Sequence, residues 1–131
     1  MDSILITVPV TVKAKLTEKL KSRMIDELTK IAEQMDLECK QISIDRQREL
    51  DNHPEQGAEI ARFFGNEISQ RQRRREESLV RKETLEKLAI GAEITQGTLE
   101  RQVELKIGDD MREVMNVEIL IEDDKIIAIR G

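Results

Sequence analysis

Apolar positions change their period twice along this chain. Ile4, Ile6, Val8, Val10 and Val12 alternate with Leu5, Thr7, Pro9 and Thr11, the period-two pattern of a strand with one strongly apolar face. From Leu20 the step lengthens to three and four, through Met24, Leu28, Ile31, Met35, Cys39 and Ile42, which keeps one face of an α-helix apolar. A second helical run sets Ile60, Phe64, Ile68, Leu79 and Leu85 at the same spacing but fills seam positions with Arg71, Arg75 and Lys82. Alternation then returns. Leu99, Val103, Leu105 and Ile107 point one way with Arg101, and Val117, Ile119 and Ile121 give a further inward face.

These periods predict an α+β protein in three stretches: an N-terminal strand in residues 1–16, a helical hairpin over 17–88, and a β module over 89–131 that forms one unit with residues 1–16. Thr17 followed by Glu18 is a helix N-cap with an acidic first turn. Pro54 cannot donate an N–H and turns His53 away from helical geometry, so the chain is expected to reverse in Asn52–Gly57. The reversal makes a long antiparallel, coiled-coil-like hairpin and returns residue 88 to the neighbourhood of residue 17. The N-terminal strand can then join the C-terminal strands in a small antiparallel sheet or open β-barrel. A kinked continuous helix would need a domain-swapped dimer to do the same. Pro9 suggests an edge strand or a bulge. Gly91 marks the exit from the helix, Ala92 to Thr95 a short strand, Gln96-Gly97 a turn, Met111 to Met115 a connection, and Asp123-Asp124 a two-residue hairpin loop.

Charge supports the reversal. Folding back at Pro54 sets Arg71 to Arg75 across from Glu33, Asp36 and Glu38, opposite signs at one level. Charged residues are 37% of the chain and aromatics 2%, a composition suited to an extended charged helix pair and not to a deep ligand pocket. Net charge is −5, and it is uneven: residues 17–88 hold 15 basic and 16 acidic side chains, the rest 7 and 11. An acidic β module is a poor nucleic-acid platform. The lone Cys39 permits no intrachain disulfide and reads as a small seam residue. No basic n-region opens the chain and no window approaches a membrane span, so a cytoplasmic protein without membrane contact is expected.

The residues Val10-Thr11-Val12-Lys13 before Leu16-Thr17, Gly91-Ala92-Glu93-Ile94, Val103-Glu104-Leu105-Lys106-Ile107-Gly108-Asp109, Val117-Glu118-Ile119-Leu120-Ile121-Glu122-Asp123 and Ile129-Arg130-Gly131 resemble the YlqD family of small bacterial proteins. The likeness covers both ends of the chain and extends to the helical middle in character. It implies a fold plan, and no catalytic or binding residue to carry over.

Chemistry is sparse. His53 is the only histidine, so neither a Ser-His-Asp arrangement nor a histidine-based metal site can form within one chain. Asp109, Asp110, Asp123 and Asp124 are read as turn residues before cation ligands, and no phosphate-binding glycine motif is present. No catalytic residue, metal or cofactor is assigned, and the expected class is a non-enzymatic interaction or scaffold protein.

The candidate interaction residues fall into three groups. Phe63 and Phe64, near the reversal with Ile42, Ile44 and Ile60, fasten the arms together unless Phe63 projects outward as a contact for a protein partner. Arg71, Arg73, Arg74 and Arg75 form the one basic cluster and carry the alternative reading, an RNA- or ribosome-associated factor. The facing acidic arm and the lack of interleaved aromatics make nucleic acid the less favoured partner. Leu37 and Ile44, seven apart on the face opposite the main stripe, suggest a second packing seam and hence a homo-oligomer.

Overall fold

The computed structural model describes residues 1–131, in the order β1 (Ser3–Lys15), α1 (Glu18–Asn52), a single 3₁₀ turn (Pro54–Gln56), α2 (Gly57–Lys87), β2 (Glu93–Lys106), α3 (Met111–Met115), β3 (Glu118–Glu122) and β4 (Lys125–Arg130). The chain divides into two units, one of residues 1–20 with 88–131 and one of residues 21–87.

In the first unit, four strands form one sheet in the order β2-β1-β3-β4. β1 and β2 pair antiparallel from Ser3↔Lys106 to Lys15↔Glu93, so the reversal of the chain joins its two ends as the sequence predicts. The sheet is mixed where an antiparallel one was expected: β3 pairs with β1 in parallel, Thr11↔Glu118 to Ala14↔Ile121. The reason is the crossover. After β2, residues 107–117 carry the chain past β1, and β3 enters on the far side running with β1. Within that crossover Met111–Met115 is a short helix, started by Asp110, whose carboxylate accepts the N–H of Arg112 at 2.8 Å.

β1 is therefore central, not an edge, yet Pro9 costs no ladder bond. Thr11 sends its N–H to Val117 O on the β3 side (3.3 Å). Pro9, two residues earlier, has its nitrogen on that same side, beyond the stretch that β3 reaches. The predicted turn at Gln96-Gly97 is instead a bulge in a continuous β2: Val12 faces Gly97 and Lys13 faces Thr95, leaving Gln96 as the extra residue. Asp123 and Asp124 do form the two-residue loop, with φ of 46° and 68°, between Glu122 and Lys125.

The buried residues of this unit are Val8, Val10, Ala14, Leu16 and Leu120, with Leu16 at 0% and Val8 at 1% exposure. Leu16 is also tied by its backbone, donating to Ala92 O and accepting from Gly91 N, both at 2.7 Å. Gly91 has φ +95°, which a side chain would strain. Leu99 and Ile107, expected to face inward, are exposed. Paired residues share a face, so Leu99 and Arg101 stand beside Val10 and Val8; α3 lies against β1, and Arg101 donates to its Val114 carbonyl at 3.2 Å.

The second unit is a hairpin of two helices, 35 and 31 residues long and so each about 50 Å. Lys21 Nζ donates to Glu86 O (3.0 Å) near the open end and Cys39 Sγ to Ile68 O (3.8 Å) further along, so numbers fall on α2 as they rise on α1, the mark of antiparallel arms. Ala32, Met35, Ile60 and Leu85 are buried, and the other stripe positions, Arg71, Arg75 and Lys82 included, are half-buried. Ser78 is the one buried polar residue, and its hydroxyl is satisfied by Arg74 O at 2.9 Å. The N-terminal turn of α1 belongs to the first unit: Thr17 Oγ1 accepts Leu20 N (3.1 Å) as the expected cap and donates to Asp123 Oδ1 (2.8 Å).

Candidate functional site

Each predicted interaction residue now has a surroundings. Across the arms, Arg71 Nε lies 3.5 Å from Glu38 Oε1 and Arg75 Nε 2.9 Å from Asp36 Oδ1. Glu33, the third acid expected opposite the arginines, makes no ion pair. Arg71 also donates to Glu67, one turn earlier in α2, and that bond first of all, with the charges of Glu67 and Glu38, holds its guanidinium above the usual range. Arg75 Nε is buried and its N–H is aimed at no acceptor, so its attraction to Asp36 is that of two charges without an aligned hydrogen bond. The long stems of both cover the seam. Arg73 and Arg74 are different: both are exposed on α2 and neither enters an ion pair. The basic run is thus two structural cations and two free ones.

Phe63 and Phe64 meet edge to face, ring centres 5.1 Å apart. Phe64 is half-buried, but Phe63 is 61% exposed and Ile44 55%, so neither of the latter fastens the arms as expected; Ile60 does. One helical step separates the two rings by about 100°, and only one of them can face the seam. A shallow groove of about 460 Å³ is lined by Asp45, Arg48, Glu49, Phe63 and Phe64. Leu37, 60% exposed, and Ile44 lie on the outer face of α1, where their spacing puts them.

The first unit offers surface and turns. Asp109 Oδ2 accepts Lys106 N (2.8 Å), Asp110 caps α3, Asp123 accepts from Thr17 and Asp124 holds the β3–β4 loop. No three His, Cys, Asp or Glu side chains gather in a metal-ligating arrangement. His53 is exposed in the helical turn, 3.6 Å from Glu55 Oε1.

What sequence reasoning missed is an ion network over all four strands. Lys13 Nζ lies 2.9 Å from Glu118 Oε1, and Arg130 Nη2 reaches Glu118 Oε2 at 2.8 Å and Glu93 Oε1 at 2.6 Å. Arg130 holds the Glu93 carboxyl, and Lys13 followed by Arg130 the Glu118 carboxyl, below the usual range. In a flat sheet β4 and β2 stand about 14 Å apart, so the Arg130–Glu93 bond requires the sheet to curl. Both belong to strand ends, and no local pattern pairs residues 37 positions apart. β4 remains an edge, with Ile126, Ile127 and Ile129 exposed.

The fold and its surfaces define a class: a small α+β protein in which a charged helical hairpin accompanies a curled mixed sheet. Within that class the chain belongs to the YlqD family, whose model, described as "YlqD protein", matches residues 4–130. It is similar over its full length, and over all of the other chain, to a crystal structure described as an unknown-function protein from Synechococcus sp. WH 8102, at 24% identity and a TM-score of 0.89, a likeness of fold. No protein of curated function matches it. No helix is long and apolar enough to cross a membrane.

Proposed function

We propose that this is a non-enzymatic, cytoplasmic interaction or scaffold protein that self-associates and presents its helical hairpin to a protein partner, without a cofactor. The observation that carries the reading is the outer surface of the hairpin: Leu37, Ile44 and Phe63, with Val80 on α2, are each more than half exposed on helices whose other outward residues are mostly charged or polar. An isolated hairpin gains nothing from such residues there, whereas a second packed surface does. Sedimentation velocity over a wide concentration range tests it. A concentration-dependent rise in sedimentation coefficient, reduced by Leu37→Glu, is expected; a strictly monomeric protein at hundreds of micromolar removes self-association from the reading.

A second reading, an RNA- or ribosome-associated factor, is favoured by one observation, the unpaired and exposed Arg73 and Arg74. Its signature is RNA binding that falls steeply with salt and is abolished by joint Arg73→Glu and Arg74→Glu substitution. Salt-insensitive or absent binding leaves the scaffold reading alone.

A further inference from the structure

The outer face of α1 sets its two apolar residues, Leu37 and Ile44, within a run of charged and polar ones. At helical spacing it reads Lys30, Glu33, Leu37, Lys40 with Gln41, Ile44, Arg48 and Asp51, and of these only Asp51 (from Gln47 Nε2, 3.0 Å) and Gln41 (to Asp45 Oδ1, 2.9 Å) have a side-chain partner within the chain. Every one of them is exposed, Leu37 at 60% and Ile44 at 55% included. The stripe spans about 33 Å of helix.

Its order is self-complementary under reversal. If a second copy of α1 is laid against it antiparallel about an axis passing between Lys40 and Gln41, Leu37 comes level with the second copy's Ile44, Glu33 with its Arg48, and Lys30 with its Asp51. By symmetry each pair occurs twice. Lys40 then comes level with the second copy's Gln41 at the axis, a Leu37–Ile44 apolar pair lies about 5 Å to either side, and two oppositely charged pairs follow further out on each side. A parallel arrangement in the same register keeps the apolar contacts but sets like charge against like, Lys30 on Lys30, Glu33 on Glu33, Arg48 on Arg48 and Asp51 on Asp51, which is unfavourable. We infer that the outer face of α1 is a homodimer seam, formed with a second copy of this chain antiparallel about Lys40 and Gln41. The inference rests on the self-association proposed above and adds its surface, orientation and pairing.

An isologous contact of this kind closes at two copies, so it yields a dimer and not a filament. Its apolar centre is small, and association is accordingly weak and strongly concentration-dependent.

Charge reversal and cross-linking test it together in the full-length chain. Glu33→Arg alone and Arg48→Glu alone should each weaken dimerisation by ~3- to 10-fold, since symmetry counts each exposed pair twice, and the double variant should restore it. In a Cys39→Ser background, Leu37→Cys with Ile44→Cys should give a covalent dimer on copper-catalysed air oxidation, whereas either cysteine alone, about 10 Å from its symmetry mate along the axis, should not. Circular dichroism checks that each variant keeps its helices, and the charge reversals, being on exposed positions, keep the test open if a cysteine variant misfolds. Dimers that ignore the charge reversals, or cross-links from the single cysteines, overturn the antiparallel seam while leaving self-association standing. A protein that stays monomeric overturns both.

Discussion

The hairpin and the sheet solve the same problem by different means. Each arm of the hairpin is made by contacts within one helix, and the two arms share a thin seam in which Ala32, Met35, Ile60 and Leu85 are buried and Arg71 and Arg75 stand where apolar residues would serve better. The sheet has no such local origin: Ser3 pairs with Lys106 and Arg130 with Glu93, and its core, Val8, Val10, Ala14, Leu16 and Leu120, is gathered from both ends of the chain. A helix tolerates a polar seam position because its backbone is already bonded within itself, whereas a strand without its neighbour has neither backbone partner nor buried face.

If that contrast is right, the largest loss comes from Leu16, where side-chain burial and two backbone bonds to the β2 side coincide. Leu16→Ala should cost about 3 kcal/mol in urea unfolding, and hydrogen exchange should show β1 and β2 amides losing protection before those of α1. Equal loss in both regions would mean that sheet and hairpin unfold as one cooperative unit. Met35→Ala, in the hairpin seam, should cost about 2 kcal/mol, the lower end for such a change, because a flexible side chain leaves a seam free to close.

Thr17 is the next smaller test. Thr17→Ala removes the cap on Leu20 N and the bond to Asp123, and should cost about 1 kcal/mol, while Thr17→Ser should recover most of it. Asp124 sharpens the comparison from the other side. It sits at φ 68° in the β3–β4 loop, so Asp124→Gly should stabilise the sheet by about 0.5 to 1 kcal/mol without changing the helices.

Acid supplies the shallowest effect. Glu93 and Glu118 bind protons less readily in the folded protein than at their ordinary value of 4.5, so their contribution is present above that pH and is lost as pH falls through their lowered folded values. The urea midpoint should therefore drop on acidification below about pH 4.5. Glu118→Gln should flatten part of the slope, and salt should flatten more of it because the network is at the surface.

By itself the sequence determined everything set by short-range period and by residue chemistry: two helices meeting at Pro54, Thr17 as a cap, the Asp123-Asp124 loop, the stripe positions of both arms, and the placing of the Arg71 to Arg75 run across from the acidic arm. These follow from spacing and from groups acting within a few residues, or from a reversal that a single proline locates. Only the tertiary structure decided that β3 runs parallel to β1, that Gln96 bulges, that Glu33 and Arg73 and Arg74 are left without ion pairs, and that Arg130 links β4 to β2. Those outcomes depend on which strand lies beside which and on how far the sheet curls. Alternation is the same for either strand direction, and a charge pattern does not tell which of several neighbouring cations will meet an acid.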